Sequence, residues 1–174
     1  MSDALEVTLR PALPTDEGPL REFWQQEVSP CDLLLSDDSV LRLSASALAD
    51  QLGALYESPN NLLLLALAGP TEVIGYLRIA AGSEPAIRHV GELGLVVATA
   101  YRRQGLGRAL MATALDWAQE TGLLSRLQLE VQQRNQAAQQ LYREFGFQLE
   151  GHLRASYRST SGKLIDTLLM AKLL

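Results

Sequence analysis

The stretch "YRRQGLGRALMATALDWAQETG", Tyr101 to Gly122, sets three arginines around a glycine pair and then continues as an apolar, helix-like segment. The start of a helix is already electropositive, because its first N–H groups are unpaired and the macrodipole ends there. Asp and Glu are the usual residents, each stabilised by ~0.3–1 kcal/mol. Arg102, Arg103 and Arg108 at that place predict an anion that arrives from outside the chain.

The segments around this stretch alternate between strand and helix periods. "LEVTLR", Leu5 to Arg10, alternates like a strand, and "PTDEGPLREFWQQEVS" predicts a helix with Thr15 as its cap and Leu20, Phe23 and Trp24 at helical spacing. "PCDLLLSDDSV" reads as an irregular segment, after which Leu48, Leu52 and Leu55 share one face of a second helix. "NLLLLALAG", "EVIGYLRIA" and "HVGELGLVV" are three strands separated by turn signals. Beyond the quoted helix come a strand "RLQLEV", a helix "NQAAQQLYREFG", and two strands joined across "STSG". The sum is one α/β domain over residues 1–174, with no linker or repeat.

Three anion loops compete for Arg102 to Gly107. A nucleoside-triphosphate loop needs a lysine and a Ser or Thr after its last glycine, and Arg108 and Ala109 stand there instead. A dinucleotide loop shares "GLG", and Glu130 at the end of the next strand could meet a ribose. Its third glycine is Leu110, however, and "ATAYRRQ" separates the strand from Gly105. The third pattern, [QR]-x-x-G-x-[GA], is matched by Arg102, Arg103, Gln104, Gly105, Leu106 and Gly107. Here the chain resembles the GNAT superfamily of acyl-CoA-dependent N-acyltransferases, whose loop of this pattern holds a pyrophosphate. The chemistry agrees: glycines let backbone N–H groups approach phosphate, the helix end faces it, and Arg102, Arg103 and Arg108 add charge-assisted bonds.

A second stretch, N-x-x-A-x-x-L-Y-x-x-x-G-F from Asn135 to Phe147, follows one strand later. Locally it is a helix capped by Asn135 with Tyr142 on its apolar face, which alone would make Tyr142 a core aromatic. Its spacing matches the later half of the GNAT cofactor site. The resemblance implies a mixed sheet of about seven strands, one for each strand read above, with flanking helices. It also implies acetyl-CoA as acyl donor. Leu95, Val96 and Val97 would pair with the pantetheine arm, Asn135 would contact the coenzyme, and Tyr142 would face the departing sulfur.

A thiolate leaving group has a conjugate-acid pKa near ~8.5, so a phenol donor beside it is suited to protonate it. An amine nucleophile must lose a proton, and Glu92, ten positions before Arg102, is the candidate base. Members related to the phosphinothricin type carry Glu at this offset. A solvated strand Glu is the competing reading, His89 is a third choice, and His152 reads as structural. Arg154, Tyr157 and Arg158 could meet a substrate carboxylate or be ordinary strand residues.

The acceptor expected from these echoes is the primary amine of a small molecule such as an amino acid or analogue. The alternatives are a ribosomal-protein N-terminus, or a non-catalytic acyl-CoA-binding domain that kept the cleft. Net charge is −5 and no basic run is interleaved with aromatics, which argues against nucleic acid. "LLLLALA" is too short to cross a bilayer, and the amino terminus has no export-signal pattern. Cys31 is the single cysteine, which excludes an internal disulfide and a Cys-rich metal site; it has no evident His partner to make it a nucleophile. The expected setting is cytoplasmic, without metal, and a homodimer is compatible with the sequence.

Overall fold

The computed structural model describes residues 6–35 and 39–174. Seven strands form one sheet in the order β1-β2-β3-β4-β5-β7-β6. They are β1 (Val7–Pro11), β2 (Leu62–Ala68), β3 (Glu72–Ala81), β4 (Val90–Val97), β5 (Arg126–Gln132), β6 (Gln148–Arg158) and β7 (Leu164–Leu173). The helices are α1 (Glu17–Phe23), α2 (Ser39–Arg42), α3 (Ala45–Glu57), α4 (Leu106–Thr121) and α5 (Gln136–Glu144). β4 and β5 run parallel, and every other neighbouring pair is antiparallel.

Each face of the sheet carries its own core. Leu77, Leu93, Leu127 and Leu129 pack with Leu110, Met111 and Ala114 of α4 and Tyr142 of α5 on one face. Leu65, Tyr76 and Val96 pack with Leu20 and Phe23 of α1 and Leu48 and Leu52 of α3 on the other. This explains the unbroken apolar run of β2, whose seven residues are all buried: a strand covered on both faces has no polar side to alternate with.

The amino-terminal helix differs from its sequence expectation at both ends. Thr15 is not its cap. The chain enters through a 3-10 turn at Pro14–Asp16, and the Asp16 carboxylate accepts the Leu13 N–H at 2.8 Å. At the far end α1 widens into a π-helical turn at Trp24–Val28. Both Phe23 and Trp24 then lay their rings on Tyr76 of β3, edge-on at 5.9 Å and stacked at 5.8 Å. The expected strand start at Leu5 and part of the irregular segment, residues 36–38, lie outside the described residues.

Candidate active site: a split between two parallel strands

The β4–β5 ladder is short. Val90 pairs with Arg126, Gly91 with Leu127 and Glu92 with Gln128, and there the pairing ends. β4 continues to Val97 and β5 to Gln132 without a common ladder, so the two strands part from Glu92 onward. β4 stays paired with β3 from Gly91 to Val97. Backbone groups of successive residues on a strand point to opposite sides. Ala98 donates its N–H to the Ile74 carbonyl of β3 at 2.9 Å. Val96 therefore also bonds toward β3, opposite Tyr76, while Leu93, Leu95 and Val97 turn their N–H and C=O groups into the split. Of the three residues expected to present backbone to a pantetheine arm, Leu95 and Val97 are so placed. Val96 turns its backbone toward β3 instead.

The glycine loop closes the wide end of the split. Gly105 is the residue before α4 and takes φ +86°, a left-handed conformation open to glycine. No side chain caps the first turn of α4, and no acidic residue lies in it, so its N–H groups remain available to an anion. Gly107 lies where α4, α5 and β4 converge: a Cβ there would be in ordinary contact with Leu141 Cδ2 of α5 at 3.4 Å and Leu95 Cδ2 at 3.8 Å. Leu106 is buried in the core beneath the loop.

The three arginines are not equivalent. Arg102 folds back and donates Nε–H to the Val97 carbonyl at 3.0 Å. Arg108 forms an ion pair with Glu144 of α5. Arg103 has no ion pair or hydrogen bond among the described residues, and it holds the left-handed φ of 61°, a conformation costly for a side-chain-bearing residue. Gln104 is also committed, donating its amide to the Ala100 carbonyl at 2.9 Å. The Asn135 side chain accepts the Ala138 N–H at 3.3 Å, so it caps α5 as its residue type predicts.

Tyr142 and Glu92 lie on opposite faces of the sheet. Tyr142 is 6% exposed among the core residues on the α4 side, tilted against Phe147 at a ring distance of 6.0 Å. No described residue hydrogen-bonds its hydroxyl. Burial pushes its pKa up to about 12, so it holds its proton across the neutral range. Glu92 alternates with Leu93 and shares its face with Val96, the face that carries α1 and α3, and it is exposed there.

A second carboxylate, Glu130, lies on β5. Leu127, Leu129 and Val131 of β5 face α4, so Gln128, Glu130 and Gln132 face the Glu92 side. Glu130 accepts a short hydrogen bond from Thr167 of β7, whose hydroxyl also meets Ser156. The strict alternation in "RLQLEVQ" was the available signal: polar residues recur on one side of an interior strand, where apolar ones are the rule.

That face is closed at one end by a clasp. The Asp32 carboxylate accepts from Arg134 at 2.6 Å and from the Thr160 N–H at 2.8 Å, while its carbonyl accepts from Gln132 at 2.7 Å. The loop after the π-helical turn is thus tied to the end of β5 and to the β6–β7 hairpin. His152 pairs with Asp166 at 2.8 Å, in line with a structural role. His89 lies just before β4, exposed, with its carbonyl accepting the Ser125 and Arg126 N–H groups. Arg158 donates to the Gly162 carbonyl at 3.2 Å within its own hairpin. A separate groove of about 420 Å³ lies between α1 and Tyr101, but Glu22, Glu27 and Glu72 line it, and carboxylates repel phosphate. Among the described residues no cluster could hold a metal ion, and no helix is long and apolar enough to cross a membrane.

An anion loop behind the wide end of a β4–β5 split, in a seven-stranded mixed sheet, defines a class. Residues 22–147 match the acetyltransferase (GNAT) family, and the chain belongs to that family and is an N-acetyltransferase. It is 36% identical to a GNAT-family acetyltransferase structure from Streptococcus pneumoniae, covering 97% of this chain and 100% of that one, with a TM-score of 0.91. It is 25% identical to the L-amino acid N-acetyltransferase AaaT of Escherichia coli over 96% of this chain and 98% of that protein. Over 41% of this chain and 47% of the relative, it is 41% identical to the E. coli [ribosomal protein bS18]-alanine N-acetyltransferase. A phosphinothricin acetyltransferase from Sinorhizobium meliloti, solved with acetyl-CoA, shares the fold at 22% identity and a TM-score of 0.81, over 97% of this chain and 88% of that one.

Proposed function

We propose that the protein transfers an acetyl group from acetyl-CoA to the primary amine of a small molecule such as an amino acid, by direct attack. The observation that carries this reading is the split itself: a strand edge at Leu95 and Val97 that β5 leaves unpaired, with the Val97 carbonyl taken by Arg102, leads to an uncapped helix end and to Arg103, which has no partner among the described residues. A long amide-bearing arm ending in a pyrophosphate fits that sequence of donors and acceptors. Acetyl-CoA supplies a thioester activated toward an amine.

The residues have distinct work. Backbone N–H of Leu95 is placed to polarise a carbonyl in the split. Glu92 and Glu130, on one face, are the bases available to an incoming ammonium group. Tyr142, on the other, holds the proton that a departing sulfur needs, since its phenol stays neutral. Acceptor and donor thus enter from opposite faces, and no covalent enzyme intermediate is required.

The Asp32 clasp favours a small acceptor, because a bridged cleft leaves no path for a polypeptide to run past the hairpin. The similarity to an L-amino acid N-acetyltransferase over nearly the whole of both chains points the same way. The single cysteine fits a reducing compartment, and we place the reaction in the cytoplasm. The test is thiol release from acetyl-CoA across a panel of amino acids and amines. Turnover with amino acids that falls in Tyr142→Phe supports the reading; coenzyme binding without turnover on any amine overturns it.

A further inference from the structure

The face of the sheet under α1 and α3 is not wholly covered. The helices pack over Leu65, Tyr76 and Val96. One step further along β3, Arg78 is exposed, although it sits on an interior strand of a seven-stranded sheet. Opposite it on β4 is Gly94, where an added Cβ would meet nothing within 4 Å. The next residue on that face of β4 is Glu92, opposite Ala80. Arg78 and Glu92 are therefore diagonal cross-strand neighbours, with Cβ atoms about 7 Å apart in such a register. Gln128 and Glu130 continue the patch across the narrow end of the split.

This is an unusual use of an interior strand. Arg78 has no ion pair or hydrogen bond among the described residues; burial pushes the Tyr76 phenol pKa up, and the Arg78 charge opposes that push. Tyr76 is stacked on Trp24, which forms an aromatic wall at the edge of the opening. The patch thus holds one free cation beyond an open glycine floor and two carboxylates beside the split.

We infer that Arg78 is the anchor for a carboxylate on the acceptor, so that the substrate is a zwitterionic α-amino acid. Its carboxylate lies against Arg78 over Gly94, and its ammonium group faces Glu92 and Glu130. This rests on the acetyl-transfer reading above and extends it by naming the specificity determinant. The guanidinium offers two parallel donors to a carboxylate, which an amide or a decarboxylated amine cannot accept in the same way. The aliphatic stem of Arg78 supports the same surface, so methionine is the suitable neutral replacement.

The experiment compares three substrates for wild type and Arg78→Met: the best-used of the common L-amino acids, its amide, and its decarboxylated amine, each with acetyl-CoA and thiol detection. The expected result is a wild-type kcat/KM at least roughly tenfold higher for the amino acid than for its amide. Arg78→Met then erases that ratio through a raised KM for the amino acid, with a smaller change for the amide. A ratio that persists in Arg78→Met, or a wild type that prefers the amide, overturns the anchor while acetyl transfer stands. No thiol release from wild type with any amine overturns the transfer reading and the anchor together.

Discussion

Glu92 and Gln128 are the last residues through which β4 and β5 pair, and the split opens directly beyond them. The candidate base therefore stands at the apex of the cleft, fixed on both sides by ladders: Ala80 on β3 and Gln128 on β5. Tyr142 lies in the core on the opposite face of the sheet. A reaction needing a proton removed on one side and delivered on the other fits this division.

Tyr142→Phe should separate chemistry from folding. The hydroxyl has no hydrogen-bond partner among the described residues, so thermal stability at neutral pH should hardly change. kcat should fall by roughly ten to a thousandfold, with acetyl-CoA affinity retained. The hydroxyl also sets an alkaline limit. Its folded pKa of about 12 exceeds the ordinary 10.0, so its contribution to stability is complete below 10.0 and is lost as pH rises toward 12. Denaturation midpoints measured across that window should fall more steeply for wild type than for Tyr142→Phe.

Arg103 should matter more to coenzyme binding than either neighbouring arginine. Arg102 is bonded to Val97 and Arg108 is engaged with Glu144, whereas Arg103 is uncommitted. Arg103→Gly should weaken acetyl-CoA binding by roughly tenfold or more. The same variant should lose no stability, because glycine accepts the left-handed backbone that arginine holds at a cost. Arg108→Ala should weaken binding less. Calorimetric titration and thermal melts of the three proteins make the comparison.

The amino-terminal helix should depend on one acid. Asp16 is 5% exposed, with its carboxylate bound by Arg10 at 2.7 and 2.8 Å and by the Leu13 N–H at 2.8 Å. Asp16→Ala should cost about 1–3 kcal/mol, since it removes the acceptor of the Leu13 N–H and of two Arg10 hydrogen bonds while the part-exposed guanidinium keeps its bond to the Pro11 carbonyl. The Arg10 hydrogen bonds hold the Asp16 pKa below its ordinary value of 3.8. That stabilisation is present above 3.8 and lost as pH falls through the lowered value. Urea titrations from neutral to acid pH should show the wild-type advantage over Asp16→Asn shrinking only at the acid end.

Cutting the clasp should open the acceptor side alone. Asp32→Ala removes the bonds to Arg134 and Thr160 that close the far end of the face. The KM for the amine should rise several-fold while acetyl-CoA affinity stays near the wild-type value. Larger acceptors, such as dipeptides, should gain relative to single amino acids in competition assays.

Much of this architecture was legible from residue order. The periods of "NLLLLALAG", "EVIGYLRIA" and "RLQLEV" placed their strands, because local alternation or an unbroken apolar run reports burial directly. The glycine loop and the Asn135 cap were legible for the same reason: both depend on local backbone chemistry. What escaped depends on distance in sequence. That Arg108 meets Glu144, or that Asp32 ties residues from 132 to 160, follows from the order in which strands assemble, with β7 inserted between β5 and β6. Which backbone groups of Leu95, Val96 and Val97 face the split follows from the β3–β4 register, which no local pattern of residues shows. Arg78 passed unnoticed because an arginine in a strand is ordinary until the surrounding face proves uncovered.

The most direct test of the account is isothermal titration of acetyl-CoA against wild type and Arg103→Gly, with NADH as the competing dinucleotide. The account predicts one acetyl-CoA site in wild type, roughly tenfold weaker or more in the variant, and no NADH binding. Failure to bind acetyl-CoA, or equal affinity in both proteins, would contradict the assignment of the loop to a coenzyme pyrophosphate; NADH binding in its place would return the glycine pair to a dinucleotide turn.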